Sequence, residues 1–168
     1  MKKILCLLCC VILMASCSSS SGYDPKKINS DDRPFAIEIM QKIVKAFDEE
    51  DKEALLELFS EAAKENYDLE KQIDEAMEYY KGKSIEPCTD VTYFLTNSEA
   101  IADNKYYYKS ISFLLLNMKT DAGETYSFDV FYTRVDENNP SRVGLSKIYF
   151  KPPEDNVGYI LAIGDILE

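Results

Sequence analysis

From Pro34 onward, apolar residues recur at helical spacing: Ala36, Ile39, Met40, Ile43, Val44 and Phe47, with Glu38, Gln41, Lys42 and Lys45 between them. The stripe predicts an amphipathic helix running to about Glu50, buried on one face. Asn29-Ser30-Asp31-Asp32 supplies N-terminal capping groups, and the fixed φ of Pro34 suits a first turn. Asp51 can cap a second, short helix with Leu55, Leu58 and Phe59 on one side. A third helix is expected from about Glu61 to Lys81, with Ala62, Asn66, Leu69, Ile73, Ala76, Met77 and Tyr80 in register and Gly82 as its stop.

Beyond residue 90 the period shortens to two, and 13 of the 20 Tyr and Phe residues lie there. Strands are predicted at Thr89–Thr96, Tyr106–Lys119, Glu124–Val135 and Arg142–Lys151. In the second, Ile111, Phe113 and Leu115 alternate with Ser110, Ser112 and Leu114; in the third, Tyr126, Phe128, Val130 and Tyr132 share a face. Thr120-Asp121-Ala122-Gly123 and Asp136-Glu137-Asn138-Asn139-Pro140 are the turns between them. Pro152-Pro153 ends the fourth strand, and the tail Tyr159–Leu167 is apolar enough to pack but shows no clear period. Three helices followed by four sequential strands predict an α+β domain over residues 31–151. Its helices are expected on one face of a curved antiparallel meander, with residues 152–168 as a packed extension.

The segment ahead of this domain has a different pattern. Met1-Lys2-Lys3 is a basic start, and Ile4 to Ala15 are twelve uncharged, mostly apolar residues. That is too short for the roughly 20 residues that span a bilayer, and it matches the layout of a secretory signal peptide. Leu13-Met14-Ala15-Ser16-Cys17 resembles the lipobox of bacterial lipoproteins, with Met14 standing where Leu is more usual. The resemblance implies that residues 1–16 are removed and that Cys17 carries a diacylglycerol. It places the protein on the extracytoplasmic face of a bacterial cell membrane. Residues 17–30, with Ser18-Ser19-Ser20-Ser21-Gly22, form the expected flexible tether.

Composition narrows the chemistry. The chain has 168 residues, 30 acidic against 19 basic side chains, and no histidine. The acidic balance argues against nucleic-acid binding, which needs clustered Lys and Arg. Without histidine, Ser-His-Asp and Cys-His schemes and His-rich zinc sites are excluded. Removal of residues 1–16 takes two lysines and no acid, moving the net charge from −11 to −13 over 152 residues. Electrostatics then hold the domain off an anionic membrane, and lipid is the attachment. Cys6, Cys9 and Cys10 belong to the apolar leader, which leaves Cys88 as the one free thiol of the mature chain, expected as a half-buried strand residue. The Asp136 turn lacks the glycine and distal Glu of a calcium loop, and no glycine precedes a Lys-Ser/Thr pair. No cofactor or metal is expected.

The order of helices before sheet, with Ala46-Phe47-Asp48-Glu49-Glu50-Asp51-Lys52-Glu53-Ala54-Leu55 and Leu58-Phe59-Ser60, resembles the nuclear-transport-factor-two-like (cystatin-like) superfamily. Tyr79-Tyr80-Lys81-Gly82-Lys83 and Val143-Gly144-Leu145 are similar, more narrowly, to Gram-positive surface lipoproteins carrying a domain of unknown function. The superfamily resemblance implies a cone of sheet and helix whose open end can hold an apolar molecule. Tyr93, Phe113, Phe128, Tyr132 and Tyr149 are the candidate lining, beside the plainer use of aromatics in core and cross-strand packing. Enzymes of the superfamily place a carboxylate in the cone, often with histidine or tyrosine, and Asp129 is the candidate left here. Strand alternation puts it opposite Phe128 and Val130, toward solvent; a general base in an aromatic cone is the competing reading. The leading functional expectation is a non-catalytic binding module for a small apolar ligand or an envelope protein. A histidine-free enzyme and an accessory subunit using the open sheet face are the alternatives.

Overall fold

The computed structural model describes residues 32–89, 91, 93–102, 105–151 and 158–165, with the backbone alone for 93–98, 102 and 105. The expected signal peptide, Cys17 and the tether lie outside the described residues. Helix α1 spans Asp32–Asp48 and buries the anticipated stripe, including Ala36, Ile39, Met40, Ile43, Val44 and Phe47. Asp51 caps α2, Lys52–Leu58, its carboxylate accepting from the Ala54 N–H at 2.9 Å.

The expected third helix is two helices. Ser60 caps α3, Glu61–Asn66, and the chain leaves the helical conformation at Tyr67. Asp68 then accepts from the Lys71 N–H at 3.3 Å and starts α4, Leu69–Tyr79. A side-chain oxygen at Asp68 competes for a backbone donor that a continuous helix would use, so the chain restarts. The restart turns Leu69, Ile73 and Ala76 into the core.

Among the described residues five strands follow, one more than expected: β1 Tyr93–Ala102, β2 Lys105–Lys119, β3 Thr125–Asp136, β4 Gly144–Lys151 and β5 Leu161–Ile163. All neighbours are antiparallel, in the order β1-β2-β3-β4-β5. The first strand begins four residues later than the Thr89 start predicted from sequence and runs on through Ser98 and Glu99, with a register shift between Thr96 and Ser98. Cys88 therefore precedes the sheet; it is buried, and its carbonyl accepts from Gln41 Nε2 at 2.7 Å. Pro140–Arg142 forms a 3-10 turn ahead of β4. The tail supplies β5, which pairs Ile163 with Ile148 and Leu161 with Phe150.

Register sorts the side chains. Phe128 lies opposite Phe150 and Val130 opposite Ile148, and all four are fully buried on the helix side of the sheet. Phe47 of α1 packs into this layer, 5.9 Å from the Phe128 ring and 5.4 Å from Phe150, which are 4.9 Å from each other. Asp129 lies opposite Tyr149, so this pair sits on the other, outer face.

Candidate functional site

The five candidate lining positions do not form one surface. Phe113 and Phe128 are fully buried in the core beneath α1. Tyr132 is half-buried on the same side and meets Phe35 edge-on at 5.0 Å. Tyr149 belongs to the outer face, opposite Asp129. Tyr93 pairs with Leu114 through its backbone, and its side chain lies outside the described residues. Grooves of about 350, 380 and 600 Å³ open on the helix side, and none of the three is lined by any of these five residues.

The outer face carries a linked set of polar and aromatic groups. Tyr159, brought over the sheet by the tail, stacks on Tyr149 with centroids 4.1 Å apart and an interplanar angle of 18°. Its hydroxyl donates to Asp129 Oδ2 at 3.2 Å, and Lys151 Nζ lies 5.7 Å from its ring centroid. Asp129 is thus half-covered, where simple alternation leads one to expect an open carboxylate. Burial raises its pKa, against the lowering effects of the Tyr159 hydrogen bond and the Lys151 charge. The Tyr149 hydroxyl and the Lys147 ammonium both donate to Asp165, just beyond β5. Burial and the Asp165 hydrogen bond push the Tyr149 hydroxyl up to about 12, while Lys147 opposes them. Burial alone would lower the Lys147 pKa, but its bonds to Asp165 and Tyr149 outweigh that and raise it. Tyr149 is therefore protonated at neutral pH, a fixed donor with its proton already engaged. Phe131 meets Tyr149 edge-on at 5.7 Å; Leu114, opposite Asp129, shares this face, and Leu116, two positions further along β2, is exposed.

Two clusters of buried polar groups have no counterpart in the sequence pattern. At the start of α1, the fully buried Asp32 pairs with Lys109 of β2 and Arg134 of β3. Lys109 also lies 3.6 Å from Glu99 of β1 and 4.5 Å from the Tyr106 ring centroid, and Arg134 lies 4.3 Å from that of Phe35. At the other end of α1, Asp48 Oδ1 accepts from the Tyr80 hydroxyl at 2.7 Å and from the Ser84 N–H at 2.8 Å. Its Oδ2 accepts from the Ser84 hydroxyl. Burial first, then the Asp48 hydrogen bond, raises the Tyr80 pKa, so this phenol stays a donor as well.

The family-like motifs serve these junctions. Gly82 has φ +81°, and a Cβ there would come 2.5 Å from Asp121 Oδ1 and 2.8 Å from Ala122 N. The close approach lets the Lys83 N–H donate to Asp121 Oδ1 at 2.7 Å, tying the end of α4 to the β2–β3 turn. Gly144 has φ +134°, and a Cβ would come 2.8 Å from Ser60 N. That contact lets the Ser60 N–H donate to the Leu145 carbonyl at 2.9 Å. Both motifs are explained by backbone packing.

Among the described residues, no group of three or more Asp, Glu, Cys or His side chains could hold a metal ion, and no helix is long and apolar enough to cross a membrane. Fold and site together define an α+β domain in which Phe47, Phe128 and Phe150 pack between the described helices and sheet, with aromatic side chains on the outer sheet face. The chain belongs to the family described as a domain of unknown function (DUF5104), whose model matches residues 42–157. No curated protein matches the chain.

Proposed function

We propose that this protein is a lipid-anchored, extracytoplasmic bacterial lipoprotein with a nuclear-transport-factor-two-like domain, acting as a non-catalytic binding module whose partner is another envelope protein. One observation carries the choice of partner. The space between helices and sheet, where a small apolar ligand would sit, is filled by the chain's own Phe47, Phe128 and Phe150. The outer face is an aromatic-bearing sheet surface whose Asp129, Lys147, Tyr149 and Asp165 are already paired with one another or with Tyr159. Small molecules are held in concave sites with convergent unpaired polar groups, whereas a sheet surface bearing aromatic side chains and satisfied polar groups suits a protein. The lipobox-like Leu13-Met14-Ala15-Ser16-Cys17 supports the anchor.

The enzyme reading has one observation in its favour, the raised pKa of Asp129 beside Tyr159. One carboxylate oxygen there is already hydrogen-bonded to Tyr159, and the Tyr149 hydroxyl keeps its proton and donates it in a hydrogen bond to Asp165. Neither group is set up to exchange a proton with a substrate.

The test uses the full chain in a lipidating bacterial host. A photo-crosslinker at Leu116 or Phe131 should yield one recurrent protein adduct in living cells, and one at Glu57 on the helix side should not. Native mass spectrometry of the wild type in mild detergent should show no retained small molecule beyond the lipid; a stoichiometric small ligand would overturn the protein-partner reading. Cys17→Ala should move the protein out of the membrane fraction. Membrane retention of that variant without lipid mass would overturn the anchor.

A further inference from the structure

Residues 158–165 are held firmly at one end and lightly at the other. At the firm end, Ile163 pairs with Ile148 and is fully buried. The Gln72 amide of α4 grips the backbone just beyond β5, accepting from the Gly164 N–H at 2.8 Å and donating to the Asp165 carbonyl at 2.9 Å. The Asp165 carboxylate accepts from Lys147 and Tyr149 of β4. At the light end, Tyr159 and Ile160 stay 39 % and 44 % exposed. Among the described residues, the backbone hydrogen bond that ties this tip to the sheet runs from the Ile160 N–H to the Phe150 carbonyl at 2.8 Å.

Under the tip lies a slot shaped by three side chains. The Tyr159 ring rests on Tyr149 at 4.1 Å, its hydroxyl donates to Asp129 Oδ2 at 3.2 Å, and Lys151 Nζ stands 5.7 Å from its centroid. Burial, then the Asp129 charge, raises the Tyr159 pKa, so the group in the slot is a donor at neutral pH. Tyr149 supplies a stacking face, Asp129 an acceptor at its edge and Lys151 a cation beside it. An aromatic ring carrying a hydroxyl matches all three.

We infer that Tyr159 is an internal stand-in for a tyrosine side chain of the envelope partner, which docks by lifting the 158–160 tip and seating its own ring between Tyr149 and Asp129. The inference rests on the protein-partner reading above. One stack and one hydrogen bond are replaced by the same pair, so the exchange is near balance, and further contacts of the partner with Phe131 and its neighbours tip it. Phenylalanine in the slot would leave the half-covered Asp129 without its donor, and an anionic group would be repelled by it. The firm end, gripped by Gln72, keeps β5 in place while the tip moves, so docking opens a local contact and not the domain.

Tyr159→Ala in the full chain empties the slot, and N-acetyltyrosinamide is the probe, titrated against the amide chemical shifts of Asp129 and Tyr149 in mild detergent. The probe should bind the variant at least about tenfold more tightly than the wild type, and N-acetylphenylalaninamide should bind the variant about tenfold more weakly than the tyrosine probe. Tyr159→Phe, which keeps the ring and drops the hydroxyl, should fall between wild type and Tyr159→Ala in probe affinity. In cells, the adduct from a photo-crosslinker at Phe131 should rise several-fold in Tyr159→Ala, where a tip with a merely structural role would leave it unchanged or lower it. No saturable binding to either folded variant, equal affinity for the two probes, or tighter binding of N-acetylglucosamine would overturn the tyrosine slot, while a persisting adduct from Leu116 would keep the protein-partner reading. A bound probe with no protein adduct in any variant would overturn that reading and the partner's tyrosine with it.

Discussion

Asp129 illustrates how one distant residue resets the chemistry of a strand carboxylate. Its place on the outer face follows from alternation with Phe128 and Val130, and that much is readable locally. Its cover comes from Tyr159, thirty positions away in a tail without clear period. In the unfolded chain the carboxyl titrates near 3.8, and in the folded protein its pKa is higher. Below both values it is protonated in both states and adds no pH dependence. As pH rises through the window above 3.8, the unfolded state loses the proton first, so stability falls until the folded pKa is passed. Asn at this position keeps an acceptor for Tyr159 and removes the titration. Thermal unfolding should therefore show Asp129→Asn gaining Tm over the wild type between pH 4 and pH 7. Parallel profiles for the two proteins would mean that Asp129 is not held out of water.

At the scale of elements, capping was legible and long-range pairing was not. Asp51, with Glu53 in the turn that follows it, announces α2, and the α1 stripe announces its buried face. The break at Tyr67-Asp68 was hidden because Ala62, Asn66, Leu69 and Ile73 keep helical spacing across it; the capping oxygen of Asp68 was the available signal. Asp32 reads as one more acidic residue in a helix start, yet its partners are 77 and 102 residues away. No periodicity reports such a contact. Asp32→Asn leaves Lys109 and Arg134 desolvated without their main counter-charge. Breaking a buried ion cluster from one side costs about 3–5 kcal/mol, with Glu99 near Lys109 placing this case toward the lower end. Urea unfolding should show that loss as a lower midpoint at an unchanged slope, and adding Lys109→Met should recover part of it. A wild-type midpoint in the single variant would mean that the cluster does not fasten α1 to the sheet.

For the whole molecule, the α+β plan was visible because the hydrophobic period changes once, from helical to alternating, near residue 90. The partition of aromatics between the two sheet faces was less visible. Phe128 and Tyr149 both sit in strands rich in aromatics, and only the pairing of Asp129 with Tyr149 puts them on opposite sides. That partition separates a filled domain from a ligand chamber, and the two make opposite demands on Phe128. If its ring closes a packed interior against Phe47 and Phe150, Phe128→Ala opens a cavity and costs about 3–5 kcal/mol. Were it the wall of a chamber built to be occupied, trimming it would enlarge a space already present and cost far less in the empty protein. Phe131, half-buried on the outer face against Tyr149, provides the internal comparison. Phe131→Ala removes partly solvated surface and should cost about 1 kcal/mol, while abolishing the crosslink from Leu116 if that face docks a protein. Urea unfolding of both variants at one pH measures the contrast. Near-equal midpoints would return the small-ligand reading to the front, because the interior would then tolerate the loss of its central ring.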